Sequence, residues 1–157
     1  MAKRSAGFLL YRRRLPGFEV LLVHPGGPFW ARRDAGAWSI PKGEHAENED
    51  PFTAAGREFA EELGAPPPSG APIDLGECVQ KGGKRVRGYA LEGDLDAAAI
   101  QSNLVTIPWP PRSGRTITVP EIDRAEWFSP NAAREKLVAA QAIFVDRLAA
   151  ALEAELR

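Results

Sequence analysis

Short apolar runs bounded by charged residues, proline and glycine dominate the beginning of the chain. The runs AGFLLYRRR (6–14) and FEVLLVH (18–24) are separated by only three residues, among them Pro16 and Gly17. Runs of this length and composition predict two β-strands, and the short connection predicts that they pair antiparallel. The next segment, PGGPFWARRDAGAW (25–38), is rich in proline and glycine and predicts a loop.

Similar short runs fill the middle of the chain. DLGECVQ (74–80) and KRVRGYALEG (84–93) flank Gly82 and Gly83, which predicts a β-hairpin. NLVTIPWPP (103–111) and RTITV (115–119) predict strand pieces interrupted by a proline-rich loop, and RAEWF (124–128) predicts a last short strand.

Two segments have helical periodicity instead. Asp50 is a good N-cap, Pro51 suits the first helical position, and Gly64 suits a left-handed terminating residue. On the second segment, Ser129 and Pro130 predict a start, and apolar residues recur at helical spacing towards Arg157. Strands and helices in this order favour an α/β protein with helices packed on a mixed sheet, and we expect residues 1–157 to form one domain.

The first helix carries its charge beside its apolar face. At about 100° per residue, one stripe should face the core; it contains Phe52, Ala55, Gly56, Phe59 and Leu63. Glu58, Glu61 and Glu62 occupy the adjoining sector, where like charges at spacings of three and four residues repel each other.

The charge distribution makes that helix unusual in this chain. The formal net charge is only −1, which gives no general attraction to nucleic acid or to anionic membranes. Residues 41–65, however, hold seven acidic side chains against two basic ones. A cation site would have this composition, and oxygen ligands without histidine or cysteine suit Mg²⁺ or Mn²⁺. A solvated acidic helix face fits the spacing equally well, so both interpretations stay open at this point.

Cysteine content and hydropathy indicate the cellular compartment in which the protein works. Cys78 is the only cysteine, so no disulfide can form within the chain, and a reducing compartment is expected. No apolar run approaches the roughly 20 residues of a membrane helix. We therefore expect a cytoplasmic protein that has no membrane partner and does not bind nucleic acid stably.

The order of residues adds a more specific signal. Gly43, five residues, Glu49, seven residues, Arg57-Glu58-Phe59, one residue, Glu61-Glu62, one residue and Gly64-Ala65 together resemble a complete Nudix box. The resemblance implies an α/β/α sandwich with a mixed central sheet, the box as a loop–helix–loop and a long C-terminal helix. It also implies metal-dependent hydrolysis of a pyrophosphate linkage in a nucleoside diphosphate joined to another moiety, with Mg²⁺ or Mn²⁺ as cofactor.

The resemblance also implies roles for individual residues. Glu58 and Glu62 are the expected direct metal ligands, and Glu61 is a further ligand, direct or through water. Glu49 and Arg57 are expected to orient these carboxylates. The general base is either a box glutamate or an acid outside the box; Glu121 is the outside candidate, although an exposed loop acid is the simpler interpretation of that residue.

Substrate specificity is expected to lie outside the box. The PKG sequence at 41–43 resembles that of dinucleoside-polyphosphate hydrolases, and Lys42 within it is either a phosphate ligand or a solvated loop lysine. Arg87 is a second anion-binding candidate, and Trp30 and Trp109 are candidates for stacking on a base.

Three functions remain to be compared. The first is an enzyme that acts on nucleoside or dinucleoside polyphosphates. The second is an enzyme of the same fold that acts on ADP-ribose or nucleotide sugars, and the third is a non-catalytic Nudix-like module that binds a nucleotide and regulates a partner. Retention of every box acid favours an enzyme. The expected partner is a small-molecule nucleotide, and a homodimer is compatible with these features.

Overall fold

A mixed β-sheet lies between two helical layers in the computed structural model, which describes residues 3–156. The strands are β1 (Arg4–Arg14), β2 (Gly17–Pro25), β3 (Lys42–Glu44), β4 (Ile73–Val79), β5 (Arg85–Glu92), β6 (Leu104–Pro108), β7 (Thr116–Pro120) and β8 (Ile122–Phe128). The helices are α1 (Pro51–Leu63), α2 (Pro130–Lys136) and α3 (Ala142–Glu155), with short 3-10 helices at Ala97–Ala99 and Ala139–Gln141.

The main sheet has the order β4-β5-β1-β2-β8, and β3 also pairs with β1. The predicted antiparallel pair β1–β2 and the predicted hairpin β4–β5 are both confirmed. β1 runs parallel to β5, with Gly7 opposite Gly88, and the remaining pairs in this sheet are antiparallel. The sheet is therefore mixed, as expected.

Alternate residues of the central strands supply two separate cores. Leu9 and Leu22 pack on one face together with Phe144 of α3. Phe8 and Leu21 pack on the other face with residues of α1. Because side chains alternate between the faces of a strand, an unbroken apolar run such as FLLY builds both cores. The result is the α/β/α sandwich that the sequence predicts.

Helix α1 begins and ends where the sequence predicts. The Asp50 side chain accepts a hydrogen bond from the Thr53 N–H, and Gly64 adopts a left-handed conformation with φ of 73°. The predicted buried stripe is wrong at Phe52, which is 37% exposed. Phe52 lies at the rim of the core, where its ring packs edge-on against Phe8 and Tyr89 at centroid distances of 5.2 and 5.4 Å.

The C-terminal helix forms as α3, but helical structure is not continuous from Pro130 onwards. Leu137 is extended and forms a parallel bridge with Trp38. The Trp38 N–H donates to the Lys136 C=O at 3.0 Å, and the Val138 N–H donates to the Trp38 C=O at 2.8 Å. These hydrogen bonds replace helical ones, so α2 ends at Lys136. No helix in the described range, 3–156, combines the length and hydropathy needed to cross a membrane.

Strands β6 and β7 form a separate two-stranded ribbon. Its base is tied to the rest of the fold by three backbone hydrogen bonds. The Asn103 N–H donates to the Glu61 C=O at 3.0 Å, the Glu121 N–H to the Asn103 C=O at 2.9 Å, and the Gly26 N–H to the Glu121 C=O at 2.9 Å. Glu121 is therefore held beside the C-terminal half of α1.

Candidate metal and nucleotide site

Three carboxylates converge at one edge of α1. Glu58 and Glu62 lie one helical turn apart on α1, and Glu121 lies between β7 and β8. One oxygen from each of these side chains falls within 4.8 Å of the other two. Glu58 is 9% exposed and Glu62 only 3%, so two of the three acids are shielded from water.

Local structure explains how Glu58 is accommodated. Gly43 of β3 faces its carboxylate so closely that a Cβ at position 43 would lie 2.0 Å from the carboxyl carbon. Only glycine, which has no Cβ, leaves room for the acid there. On the same strand, the Lys42 N–H donates to the Glu62 Oε2 at 3.3 Å. The backbone of β3 thus covers both helix acids, which are buried at the edge of the core.

The surroundings of the two buried helix acids disfavour their charged forms. The pKa of Glu62 is raised to about 9. The largest cause is burial, the second is the negative charge of nearby Glu121, and the positive charge of Lys42 acts in the opposite direction. Burial and the neighbouring Glu61 raise the pKa of Glu58, and Arg57 opposes that change. Carboxylates placed together in a low dielectric repel each other and hold their protons. A divalent cation would remove that penalty.

The donor set fits a hard cation. Every candidate ligand atom in this cluster is a carboxylate oxygen, and within residues 3–156 no histidine or cysteine joins it. Oxygen-only coordination suits Mg²⁺ or Mn²⁺ rather than Zn²⁺. The residues present therefore fit the metal that the sequence suggests.

Arg57 bridges two acids beside the cluster. One terminal nitrogen lies 3.1 and 3.2 Å from the two carboxylate oxygens of Glu49, and the other lies 2.9 Å from the Glu58 Oε1. Such charge-assisted contacts fix the orientation of a carboxylate. Arg57 therefore links Glu49, on the loop before α1, to Glu58 on the helix.

The structure brings only some of the candidate site residues into the three-acid cluster. Glu61 lies outside the three-acid cluster: its side chain is 45% exposed and lies 3.8 Å from Arg57. Glu121, for which an exposed loop acid was the simpler interpretation, joins the cluster instead. Its sequence context carries no signal for this placement, because the position depends on the ribbon and its long-range hydrogen bonds.

A cavity of about 300 Å³ adjoins the carboxylates. Glu62, Glu121 and Lys42 line it together with Trp30 and Gln80, and its apolar wall includes Val23, Ile40 and Val138. The pKa of Lys42 is lowered to about 8. Burial is the largest cause and the positive charge of nearby Lys84 the second, while Glu62 and Glu44 act in the opposite direction. The cavity thus combines acids, one cation and an aromatic surface, a mixture typical of ligand sites.

Other candidates lie elsewhere. Arg87 does not line this cavity; it pairs with Asp74, its Nε lying 3.2 Å from Oδ1, and it lies near the ring of Tyr89. Trp109 directly follows β6, at the tip of the ribbon, and does not line the cavity either. Sequence reasoning missed Gln80, which lines the cavity, and Gln141, whose amide nitrogen lies 2.9 Å from the Gln80 Oε1. Isolated glutamines carry no motif that would have revealed them.

Comparison with known proteins agrees with the fold. A family model described as the Nudix domain matches residues 1–148. A comparison with curated protein sequences finds no match.

Solved structures share the fold at low sequence identity. A C. elegans Ap4A hydrolase in a binary complex has a TM-score of 0.67 and 20% identity, covering 96% of this chain and 98% of that one. The Nudix domain of Shewanella oneidensis NrtR, complexed with ADP ribose, has a TM-score of 0.63 and 16% identity over 97% and 89% of the two chains. A MutT protein from Methanosarcina mazei Go1 has a TM-score of 0.61 and 19% identity over 97% and 96%.

Proposed function

The chain belongs to the Nudix family, and from this premise we propose that it hydrolyses a pyrophosphate linkage in a nucleoside or dinucleoside polyphosphate with the help of Mg²⁺ or Mn²⁺. Family membership supports a pyrophosphohydrolase, an acid anhydride hydrolase. The observation that carries the finer proposal is the meeting of three carboxylates with a cavity that also contains Lys42 and Trp30.

Glu58 and Glu62 would hold the cation directly. A bound divalent ion supplies positive charge to the pyrophosphate and lowers the pKa of water, so that a nucleophile exists near neutral pH. Arg57 keeps the Glu58 carboxylate in one orientation through its contact at 2.9 Å, and Glu49 fixes Arg57 in turn. Glu61, which is exposed, would contribute as an outer ligand through water.

Glu121 is the proposed general base. Its carboxylate lies within 4.8 Å of the two helix acids, and its backbone is fixed on both sides by hydrogen bonds to Asn103 and Gly26. An acid held in this way can take the proton from the attacking water at a carboxylate oxygen. Lys42 would meet a phosphate oxygen as a point charge, and Trp30 would offer a face to the base.

A second substrate class has a specific observation in its favour. The NrtR Nudix domain, which has the same fold, was solved with ADP ribose. ADP-ribose and nucleotide sugars contain the same pyrophosphate linkage as the polyphosphates. They therefore belong in the substrate panel as the alternative to dinucleoside polyphosphates.

We also propose that residues 1–157 form a single catalytic domain that works in a reducing, cytoplasmic environment. Cys78, the only cysteine, is buried, and burial raises the pKa of its thiol. A small-molecule nucleotide is the proposed partner. Light scattering would test whether the chain also forms a homodimer.

The test is a hydrolysis panel with products identified by mass. Nucleoside triphosphates, dinucleoside polyphosphates, ADP-ribose and nucleotide sugars are incubated with Mg²⁺, with Mn²⁺ or with EDTA. We expect metal-dependent cleavage of at least one substrate and a loss of about 100-fold or more in Glu58→Gln. Glu47→Gln, an exposed acid outside the cluster, is the matched control. Nucleotide binding without turnover under every condition would favour the regulatory module.

A further inference from the structure

Gln141 is a buried glutamine whose hydrogen bonds fix the orientation of its amide. It follows the break after α2 and is fully buried. Its Oε1 lies 2.9 Å from the backbone nitrogen of Ile40. A backbone N–H can only donate, so the Gln141 oxygen must face Ile40 and its NH₂ group must face the opposite way.

The NH₂ group of Gln141 has two acceptors. Its Nε2 lies 3.0 Å from the Ser39 Oγ and 2.9 Å from the Gln80 Oε1. The Ser39 hydroxyl donates its own hydrogen to the Ile40 C=O at 2.7 Å, which leaves the oxygen free to accept from Gln141. The contact with Gln80 is therefore a donation from Gln141.

This chain of contacts fixes the Gln80 amide as well. Because Gln80 must present its oxygen to Gln141, its NH₂ group is turned away from that partner, and it makes no hydrogen bond within residues 3–156. Gln80 lines the cavity together with Trp30. A free glutamine can rotate to offer either an oxygen or an NH₂ group, but this one is held with its two N–H donors available.

We propose that Gln80 recognises the base of the substrate as a hydrogen-bond donor, with Gln141 as the positioning residue that sets its polarity. Resting on the proposed function, this inference narrows the substrate class. The site favours bases with a keto group where adenine and cytosine carry an amino group. Guanine and hypoxanthine offer adjacent N7 and O6 acceptors, whereas adenine presents N7 beside an N–H donor.

The surroundings of Gln80 favour a base over a phosphate as the group it meets. The cavity wall consists largely of apolar side chains and the Trp30 indole, which suit a heteroaromatic ring. For the charged part of the substrate, Lys42 supplies a cation, and the three-acid cluster supplies the proposed metal ligands Glu58 and Glu62 and the proposed base Glu121.

Matched nucleotides test the proposal directly. Inosine and adenosine triphosphates differ at position 6 of the purine, which carries a keto or an amino group, and uridine and cytidine triphosphates form a second pair. We expect kcat/KM to favour the keto member by at least about fivefold. Gln80→Met should abolish the preference, and Gln80→Glu, which offers only acceptors, should reverse it. The Gln80 N–H and C=O bond within the β4–β5 turn, so these variants keep the backbone contacts.

Gln141→Glu tests whether Gln141 sets the orientation of the Gln80 amide, without changing a residue that lines the cavity. The glutamate still accepts from Ile40 but gives Gln80 an acceptor, so the Gln80 amide turns and presents its oxygen to the substrate. We expect the ratio of kcat/KM to move towards the amino nucleotides, with circular dichroism confirming the fold. A ratio unchanged from the wild type would overturn the role of Gln141; if this variant does not fold, the Gln80 variants decide the proposal.

Two results would overturn the assignment of Gln80. One is a wild-type enzyme that does not distinguish the paired nucleotides. The other is a Gln80→Met variant that loses kcat/KM equally for both members, because the amide would then bind a part common to all nucleotides. Calorimetric titration of inosine and adenosine monophosphates without metal separates this inference from catalysis. Preferential binding of the keto nucleotide without any turnover would support base recognition while refuting hydrolysis.

Discussion

Gly43 and Glu58 are in such close contact that a single added carbon at position 43 would overlap the carboxylate, at 2.0 Å from its carbon and 2.2 and 2.3 Å from its oxygens. The contact joins a three-residue strand to the middle of α1. It shows that the box glycine is required by the space the carboxylate occupies.

Gly43→Ala should therefore impair the site more than the fold. The atoms in conflict are the tip of a flexible side chain, which can move aside at little cost to stability. We expect a loss of more than about tenfold in activity and in Mn²⁺ affinity, with the melting temperature shifted by only a few degrees. Gly17→Ala, where nothing lies within 4 Å of the added carbon, is the control. Full activity in Gly43→Ala would show that the Glu58 carboxylate need not occupy its observed position.

The stability of the metal-free protein should fall as pH rises from about 5.5 to 7.5. The pKa of Glu62 is raised from its ordinary value of 4.5 to about 9, so between these values the folded protein keeps a proton that the unfolded chain releases. The free energy of unfolding then decreases by up to about 1.4 kcal/mol per pH unit. Glu58, whose pKa is also raised, adds an effect of the same sign.

Urea titrations of metal-free protein across this range would measure the slope. Lys42 contributes the opposite slope only above its pKa of about 8, so it does not mask the effect. Glu62→Gln should flatten the dependence and lower turnover by orders of magnitude, and saturating Mg²⁺ should flatten it in the wild type. Equal slopes in the wild type and in Glu62→Gln would contradict this assignment.

Replacing Arg57 by lysine should reduce activity by about 10- to 100-fold. Lysine keeps the positive charge but cannot span both Glu49 oxygens and the Glu58 Oε1 in one planar group. The side chain is half-exposed, so the effect on stability should be small. Arg134 forms an ion pair with Asp146 of α3 away from the cluster, so Arg134→Lys is the control variant. Similar rates in both variants would mean that positioning of Glu58 by Arg57 does not matter.

Trp30→Ala should raise KM by about tenfold with a smaller change in kcat, because it removes a stacking surface from the cavity. Trp30→Phe should retain most of the affinity. Trp109→Ala changes the other tryptophan suggested by the sequence, which lies in the ribbon and outside the cavity, and should leave KM unchanged. An effect of Trp109→Ala as large as that of Trp30→Ala would place the base elsewhere.

The fold was predictable wherever local chemistry decides it. The Asp50 cap, the Gly64 terminus and the β4–β5 turn depend on residues near one another in the chain, and all three form as expected. The interruption after Lys136 was not predictable, because Trp38, about one hundred positions earlier, supplies the competing hydrogen bonds. Helical periodicity carries no information about such a partner.

Only part of the candidate site was predictable from the sequence, for the same reason. Glu58 and Glu62 could be singled out from their spacing, since one helical turn brings residues four positions apart onto one face. The same rule gave no means of separating Glu61, which faces solvent, from the two buried acids. Glu121 and Gln80 reach the cavity through chain segments whose arrangement depends on tertiary pairing.

The β6–β7 ribbon has a consequence for engineering. Both backbone hydrogen bonds of Glu121, and the bond from Asn103 to Glu61 beside them, lie at the attached end of the ribbon, whereas residues 109–115 form the opposite tip. Loops of different length or sequence can therefore be grafted at the tip without displacing the acid at the root. Such chimeras would permit new recognition surfaces to be selected on an unchanged hydrolytic centre.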